Sequence, residues 1–232
     1  MIRVAGIVLC GGQSRRMGRP KAWLPFQAET MLQRVVRQVS EAVQPVWVVA
    51  AVGQVLPELP DTVRVVRDQR EQAGPLEGLR AGLAAVATYN LGTNRPRRID
   101  EPRVDPGDEH RVETIAERPS GLPIEAVFAT GCDTPLLRPE WIRFLAGELG
   151  TQEAAVPLDG GHFHPLSAVY RIESLARIET LLAQGESRLT ALCAQLRTRA
   201  IPVDRLRLVD PQLESLINVN CPEEYIELRN RP

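Results

Sequence analysis

Short apolar runs alternate along this chain with longer stretches whose apolar positions recur at helical spacing. That alternation predicts βαβ units built on a mainly parallel sheet. Val4 to Cys10 is a nearly unbroken apolar run, as expected of a strand covered on both faces. From about Thr30 onward, Leu32, Val35, Val36, Val39 and Val43 mark one face of a helix. Val46–Val52 and Val63–Val66 predict the second and third strands, and Leu76–Val86 a helix loosened by two glycines. A fourth strand is expected at Ala126–Thr130, and Pro139 suits the first turn of a helix carrying Trp141, Ile142 and Leu145. Ala154–Leu158 and Leu166–Tyr170 predict strands on either side of a Gly-Gly turn. Helices around Ser174–Leu182 and Ser187–Leu196, a strand near Ala200–Val203 and a last helix opening at Pro222 complete the pattern.

This order implies an α/β fold: a single three-layer αβα domain over residues 1–232, with a Rossmann-like sheet and no second core. One stretch breaks the rhythm. Residues 89–125 hold five of the nineteen prolines and fourteen charges of both signs, with almost no periodicity, and read as a flexible surface insertion.

Composition narrows the function classes. With 44% hydrophobic and 25% charged residues and a net charge of −1, the chain is an ordinary globular one, not a broadly basic nucleic-acid binder. No apolar run approaches the roughly 18–20 residues of a membrane-spanning helix. The first ten residues have neither a basic leader nor a small-residue cleavage site, so the expected location is the cytoplasm. Four scattered cysteines argue against a disulfide framework or a structural zinc site. Of the 28 basic residues only one, Lys21, is a lysine, which makes its position informative.

That position is a glycine- and arginine-rich loop, Leu9-Cys-Gly-Gly-Gln-Ser-Arg-Arg-Met-Gly-Arg-Pro-Lys21, straight after the first strand. Gly11 and Gly12 let the backbone approach a ligand closely, and their N–H groups can cradle anionic oxygens. Arg15, Arg16, Arg19 and Lys21 add positive charge, and the C-terminal end of a strand is where α/β sheets bind ligands. The loop matches neither a Walker A nor a dinucleotide-binding fingerprint. Asp133, in Gly131-Cys-Asp-Thr-Pro135, also follows a strand, as a Mg²⁺ ligand or as a turn aspartate. Asp68 follows the third strand, with Gly74-Pro75 at a helix entrance beyond it. Asn218 and Asn220 face one side of an extended segment, to bind a ligand or to cap the last helix through Asn220.

With these motifs in place, the chain resembles the molybdenum cofactor guanylyltransferases of the nucleotidyltransferase group. The resemblance is carried by the Leu9-to-Gly18 loop, Gly74-Pro-Leu-Glu-Gly-Leu79, Gly131-Cys-Asp-Thr-Pro135, His164-Pro-Leu-Ser-Ala-Val-Tyr170 and Asn218-Val-Asn-Cys-Pro-Glu223. It implies transfer of GMP from GTP to the terminal phosphate of molybdopterin, with release of pyrophosphate. It further implies that Leu9, Cys10 and Gly11 bind the nucleotide through their backbone, that Lys21 binds phosphate and that Asp68 binds the nucleotide. Asp133 would hold both nucleotide and Mg²⁺, and Asn218 and Asn220 would lie on the pterin side. Lys21, Arg16 and Asp133 are the expected catalytic set, with Gly11, Gly12 and Arg16 steadying the triphosphate. GTP and molybdopterin are then the small-molecule partners, with passing contact to other cofactor-biosynthesis proteins and none to nucleic acid or membrane. The family often has an asparagine placed to read guanine at the end of the second strand, where this chain has Val49-Ala-Ala-Val-Gly53. Arg19-Pro20 before Lys21 resembles cytidylyl and other small-substrate transferases, so those readings stand as alternatives, beside a nucleotide-binding accessory protein without turnover.

Overall fold

The computed structural model describes residues 2–11, 17–68, 74–92 and 122–229. Strand β1 (Val4–Leu9) is buried at every position and lies in the interior of the sheet. After the first loop come a single 3-10 turn at Lys21–Trp23 and a small antiparallel hairpin, β2 (Pro25–Phe26) with β3 (Glu29–Thr30). Thr30 then caps α1 (Met31–Ala42) through a capping box, its hydroxyl accepting from the Gln33 N–H while the Gln33 side chain accepts from the Thr30 N–H. Strands β4 (Val46–Ala51) and β5 (Val63–Asp68) extend the sheet on one side of β1 in parallel. Helix α2 (Gly74–Asn90) follows, entered through Gly74 at φ +79°, a backbone conformation that favours glycine.

On the other side of β1 lies β6 (Ala126–Gly131), again parallel, leading to α3 (Pro139–Glu148). Strand β7 (Ala154–Asp159) folds back on the short β8 (His162–Phe163), and β9 (Ser167–Arg171) inserts antiparallel between β6 and β7. Helices α4 (Ser174–Ala183) and α5 (Leu189–Gln195) precede β10 (Thr198–Pro202), α6 (Val203–Leu206) and, at the end, α7 (Pro222–Arg229). The main sheet runs β10-β7-β9-β6-β1-β4-β5, with β9 the one antiparallel member of that path.

Two apolar layers sandwich this sheet. One joins α1 and α3 to it through Leu32, Val35, Val39, Trp141, Ile142 and Leu145, and the other joins α2, α4 and α5 through Leu76, Leu79, Leu83, Ile178, Leu181 and Leu192. The three-layer αβα architecture read from the pattern is therefore the one observed. A third, smaller cluster of Met17, Leu24, Phe26, Met31, Val219 and Leu228 pins the first loop, the hairpin and α7 together.

Differences from the sequence reading lie at short elements and boundaries. The hairpin, the 3-10 turns and α6 are too short to leave a period in the sequence. Helix α2 continues to Asn90, and Ile124 is buried at 2% exposure, so both ends of the stretch read as an insertion belong to the packed fold. The Asn90 carboxamide ties those ends, donating to the Ile124 carbonyl at 2.8 Å and accepting from its N–H at 2.9 Å. Residues 93–121 of that stretch lie outside the described residues.

Candidate active site

The C-terminal ends of β1, β4 and β6 lie side by side, because parallel neighbours must end at the same edge. At this edge Cys10 N–H donates to the Val49 carbonyl at 2.7 Å, and Cys132 N–H donates to the Leu9 carbonyl at 2.9 Å. Asp133 follows in a tight turn held by the Thr134 hydroxyl, which donates to the Gly131 carbonyl at 3.1 Å. The turn is further anchored by Arg34 and Gln38 of α1, which donate to the Pro135 carbonyl at 2.6 and 3.1 Å. A Cβ on Gly131 would lie 2.4 Å from Asp133 Oδ1, so the carboxylate occupies space that only a glycine leaves open.

Lys21 reaches this carboxylate from a point 112 residues away in sequence. Its Nζ donates to Asp133 Oδ2 at 2.8 Å and to Asn220 Oδ1 at 3.3 Å. Two features deliver the ammonium there. The 3-10 turn at Lys21–Trp23 buries Ala22 in the apolar layer shared with α1 and α3, and the Asn220 segment is laid alongside by Val219, whose N–H donates to the Asp133 carbonyl at 2.8 Å. Val219 is buried while Asn218 and Asn220 are exposed, as expected of an extended segment with alternating faces. Both members of the pair remain partly open, with side-chain exposures of 18% for Lys21 and 23% for Asp133. The arrangement is a half-buried cation and carboxylate at the mouth of the sheet, suited to phosphate and to a hard metal ion.

Residues 6–200 match a family model described as the MobA-like NTP transferase domain. The chain belongs to this family. Among its relatives is a probable molybdenum cofactor guanylyltransferase of Mycolicibacterium paratuberculosis, 34% identical, with the match covering 94% of this chain and 91% of that protein. The protein of the same description from Mycobacterium tuberculosis is 33% identical over 94% of this chain and 90% of its own length. Molybdopterin-guanine dinucleotide biosynthesis protein A from Archaeoglobus fulgidus shares the fold at a TM-score of 0.68, with 18% identity, 97% of this chain and 96% of that one. The MobA-like chain is thus a nucleotidyltransferase with a mainly parallel sheet flanked by helices.

Within this MobA-like domain the structure brings Lys21, Asp133 and Asn220 into direct contact and sets Leu9, Cys10 and Gly11 beside them on adjoining strands. Asp68 ends β5, two strands away from β1 across β4. Gly12 and Arg16 lie outside the described residues. Asn220 does not cap α7 through its side chain. The Glu224 carboxylate reaches back instead, accepting from the Asn220 N–H at 2.6 Å and from the Cys221 N–H at 3.3 Å, which frees the Asn220 carboxamide to meet Lys21. Cys10 and Cys132 are both buried in the same apolar layer. A hydrogen bond with the Cys10 thiol, then burial, holds the Cys132 thiol well above the usual thiol range, which leaves it neutral and unreactive at neutral pH.

Sequence reading missed several residues that build this mouth. Gln54 bridges β1 and β4, and Arg67 donates to the Ala51 and Gln54 carbonyls at 3.2 and 2.7 Å. Polar residues at strand ends and just beyond them are common, so no sequence signal marks these two. Among the described residues, no helix is long and apolar enough to cross a membrane.

Proposed function

We propose that this nucleotidyltransferase transfers GMP from GTP to the terminal phosphate of molybdopterin and releases pyrophosphate. The observation that carries the reading is the contact of Lys21 with Asp133 and Asn220 at the ligand-binding edge of the sheet. Curated relatives of the chain bear the guanylyltransferase description, which supports guanine as the base.

In this reading a phosphate oxygen of the acceptor attacks the α-phosphorus of GTP, a new P–O bond forms, and the bond to the bridging oxygen of pyrophosphate breaks. The attacking monoester is already largely ionised at neutral pH, so no side chain has to remove a proton. What the protein supplies is alignment and neutralisation of charge. Lys21 offers a compact ammonium to the phosphates, where arginine's fixed fork would demand a bidentate partner. Gly11 and Gly12 offer backbone N–H groups to the triphosphate together with Arg16, and Leu9 and Cys10 line the nucleotide through their backbone. Asp68 holds the nucleotide from β5, and Asn218 and Asn220 face the pterin.

Asp133 is the residue that would hold Mg²⁺. Its hard carboxylate oxygens stand partly open at the site mouth, and no group of three or more His, Cys, Asp or Glu side chains surrounds it among the described residues. A cation held there would draw the rest of its shell from phosphates and water, which is the preference of Mg²⁺. Bound, it would supply charge neutralisation across the phosphates.

The test is a calorimetric titration of GTP, CTP, ATP and UTP with Mg²⁺, followed by a pyrophosphate-release assay with molybdopterin. Binding of GTP, weakened in Asp133→Ala, is expected. Selective binding of CTP would instead favour the cytidylyl reading that Arg19-Pro20 motivates, and binding without pyrophosphate release would favour an accessory protein.

A further inference from the structure

Strand β4 turns away after Ala51, with the Gln54 N–H donating to the Ala51 carbonyl at 3.2 Å and Gly53 at φ +71°. Its partner β1 continues into Cys10 and Gly11, so the backbone ladder between the two strands has no further rung to offer. The Gln54 side chain fills that place. Its Oε1 accepts from the Ala51 N–H at 3.0 Å and its Nε2 donates to the Cys10 carbonyl at 3.0 Å. The carboxamide therefore stands in for one peptide group, accepting on the β4 side and donating on the β1 side. A single orientation of the amide satisfies both partners.

The consequence falls on the next peptide. In a trans peptide the N–H points opposite to the C=O of the same plane. Holding the Cys10 carbonyl toward β4 turns the Gly11 N–H the other way, toward β6, and β6 runs directly into Cys132 and Asp133. Among the described residues the Gly11 N–H donates to no backbone carbonyl. Arg67 of β5 braces the turn from behind through the Ala51 and Gln54 carbonyls. We propose that Gln54 is a positioning residue for triphosphate binding: it locks the Cys10–Gly11 peptide plane so that the Gly11 N–H faces a phosphate oxygen beside Lys21 and Asp133. The inference rests on the first loop being the triphosphate cradle of the proposed function.

Two variants test it in the full-length protein, with GTP and guanosine as probes in the presence of Mg²⁺. Gln54→Glu keeps the shape and the acceptor for Ala51 but sets an oxygen against the Cys10 carbonyl, and Gln54→Met keeps the bulk without the donor. Both are expected to weaken GTP by about ten-fold, the effect of one hydrogen bond to a charged group, and to leave guanosine unchanged. Equal weakening of the two ligands would mean a base contact or general damage, and unchanged GTP would mean no positioning role; either overturns the proposal. The wild-type protein gives a second measurement that needs no variant. Cys10-Gly11 is the one Cys-Gly pair in the chain, so labelling the cysteine carbonyl and glycine nitrogen isolates the Gly11 amide resonance. That resonance should move downfield with GTP and stay in place with guanosine; a resonance that ignores GTP overturns the proposal. Wild-type protein that binds no nucleoside triphosphate sinks the proposed function as well, whereas wild-type binding with unmoved variants sinks this inference alone.

Discussion

Lys21, Asp133 and Asn220 arrive at one point from three places in the chain, and each is held by a different device. A 3-10 turn carries the lysine, a glycine vacancy admits the aspartate, and a buried valine presents the asparagine. Removing the ammonium in Lys21→Ala is expected to abolish turnover, by a factor of a hundred or more on the order of other lost phosphate clamps, with the thermal midpoint little changed. Lys21→Arg should also lose most activity, because a planar fork cannot replace a point charge held between Asp133 and Asn220. Full activity of the arginine variant in a pyrophosphate-release assay would remove the argument from the sole lysine. Gly131→Ala separates the site from the fold more sharply. The added methyl meets the far end of the Asp133 side chain at 2.4 Å, and that end can swing aside at small cost to stability. The carboxylate then leaves Lys21, so metal-dependent GTP binding should fall while the urea midpoint stays near the wild-type value.

Helices and strands here owe their placement to close contacts as much as to propensity. Helix α2 crosses β1 at Gly78 and Gly82, and a Cβ at Gly82 would lie 2.7 Å from Ile7 Cδ1 and 2.9 Å from its Cγ2. Propensity alone says that Gly82→Ala should stabilise a helix interior by about 1 kcal/mol. Overpacking of a rigid β-branched neighbour costs about 1–3 kcal/mol, so the sum is expected to be destabilising. Denaturant unfolding of Gly82→Ala checks the sign, and the double variant with Ile7→Val should recover part of the loss. Such effects are invisible in a hydrophobic pattern, where the same two glycines read as a loosened helix. Equally hidden is the Glu224 carboxylate that caps the start of α7 in place of the Asn220 side chain, because both residues carry suitable oxygens in the sequence.

At the scale of the molecule, the Asn90–Ile124 pair closes the fold across residues 93–121. The end of α2 and the approach to β6 are thereby tied directly to each other. Replacing residues 94–120 with a short Gly/Ser linker is expected to preserve the fold and GTP binding, and to raise stability by roughly 1 kcal/mol through the smaller loop entropy. A large fall in the thermal midpoint would show that the segment packs on the domain. All seven strands along the sheet path, β1, β4, β5, β6, β7, β9 and β10, and the larger helices were legible in the chain itself. The reason is that strands buried on both faces and amphipathic helices each leave a period that burial enforces. Lys21 and the aspartate after β6, which meet in the structure, could be singled out too, since cationic and acidic residues beyond a strand end have a chemistry of their own. Other features were decided only by the tertiary structure: the antiparallel entry of β9, the meeting of Lys21 with Asn220, and the carboxamide of Gln54 serving as a rung between β1 and β4. These depend on which ends come together in space, and distance along a chain carries no record of that.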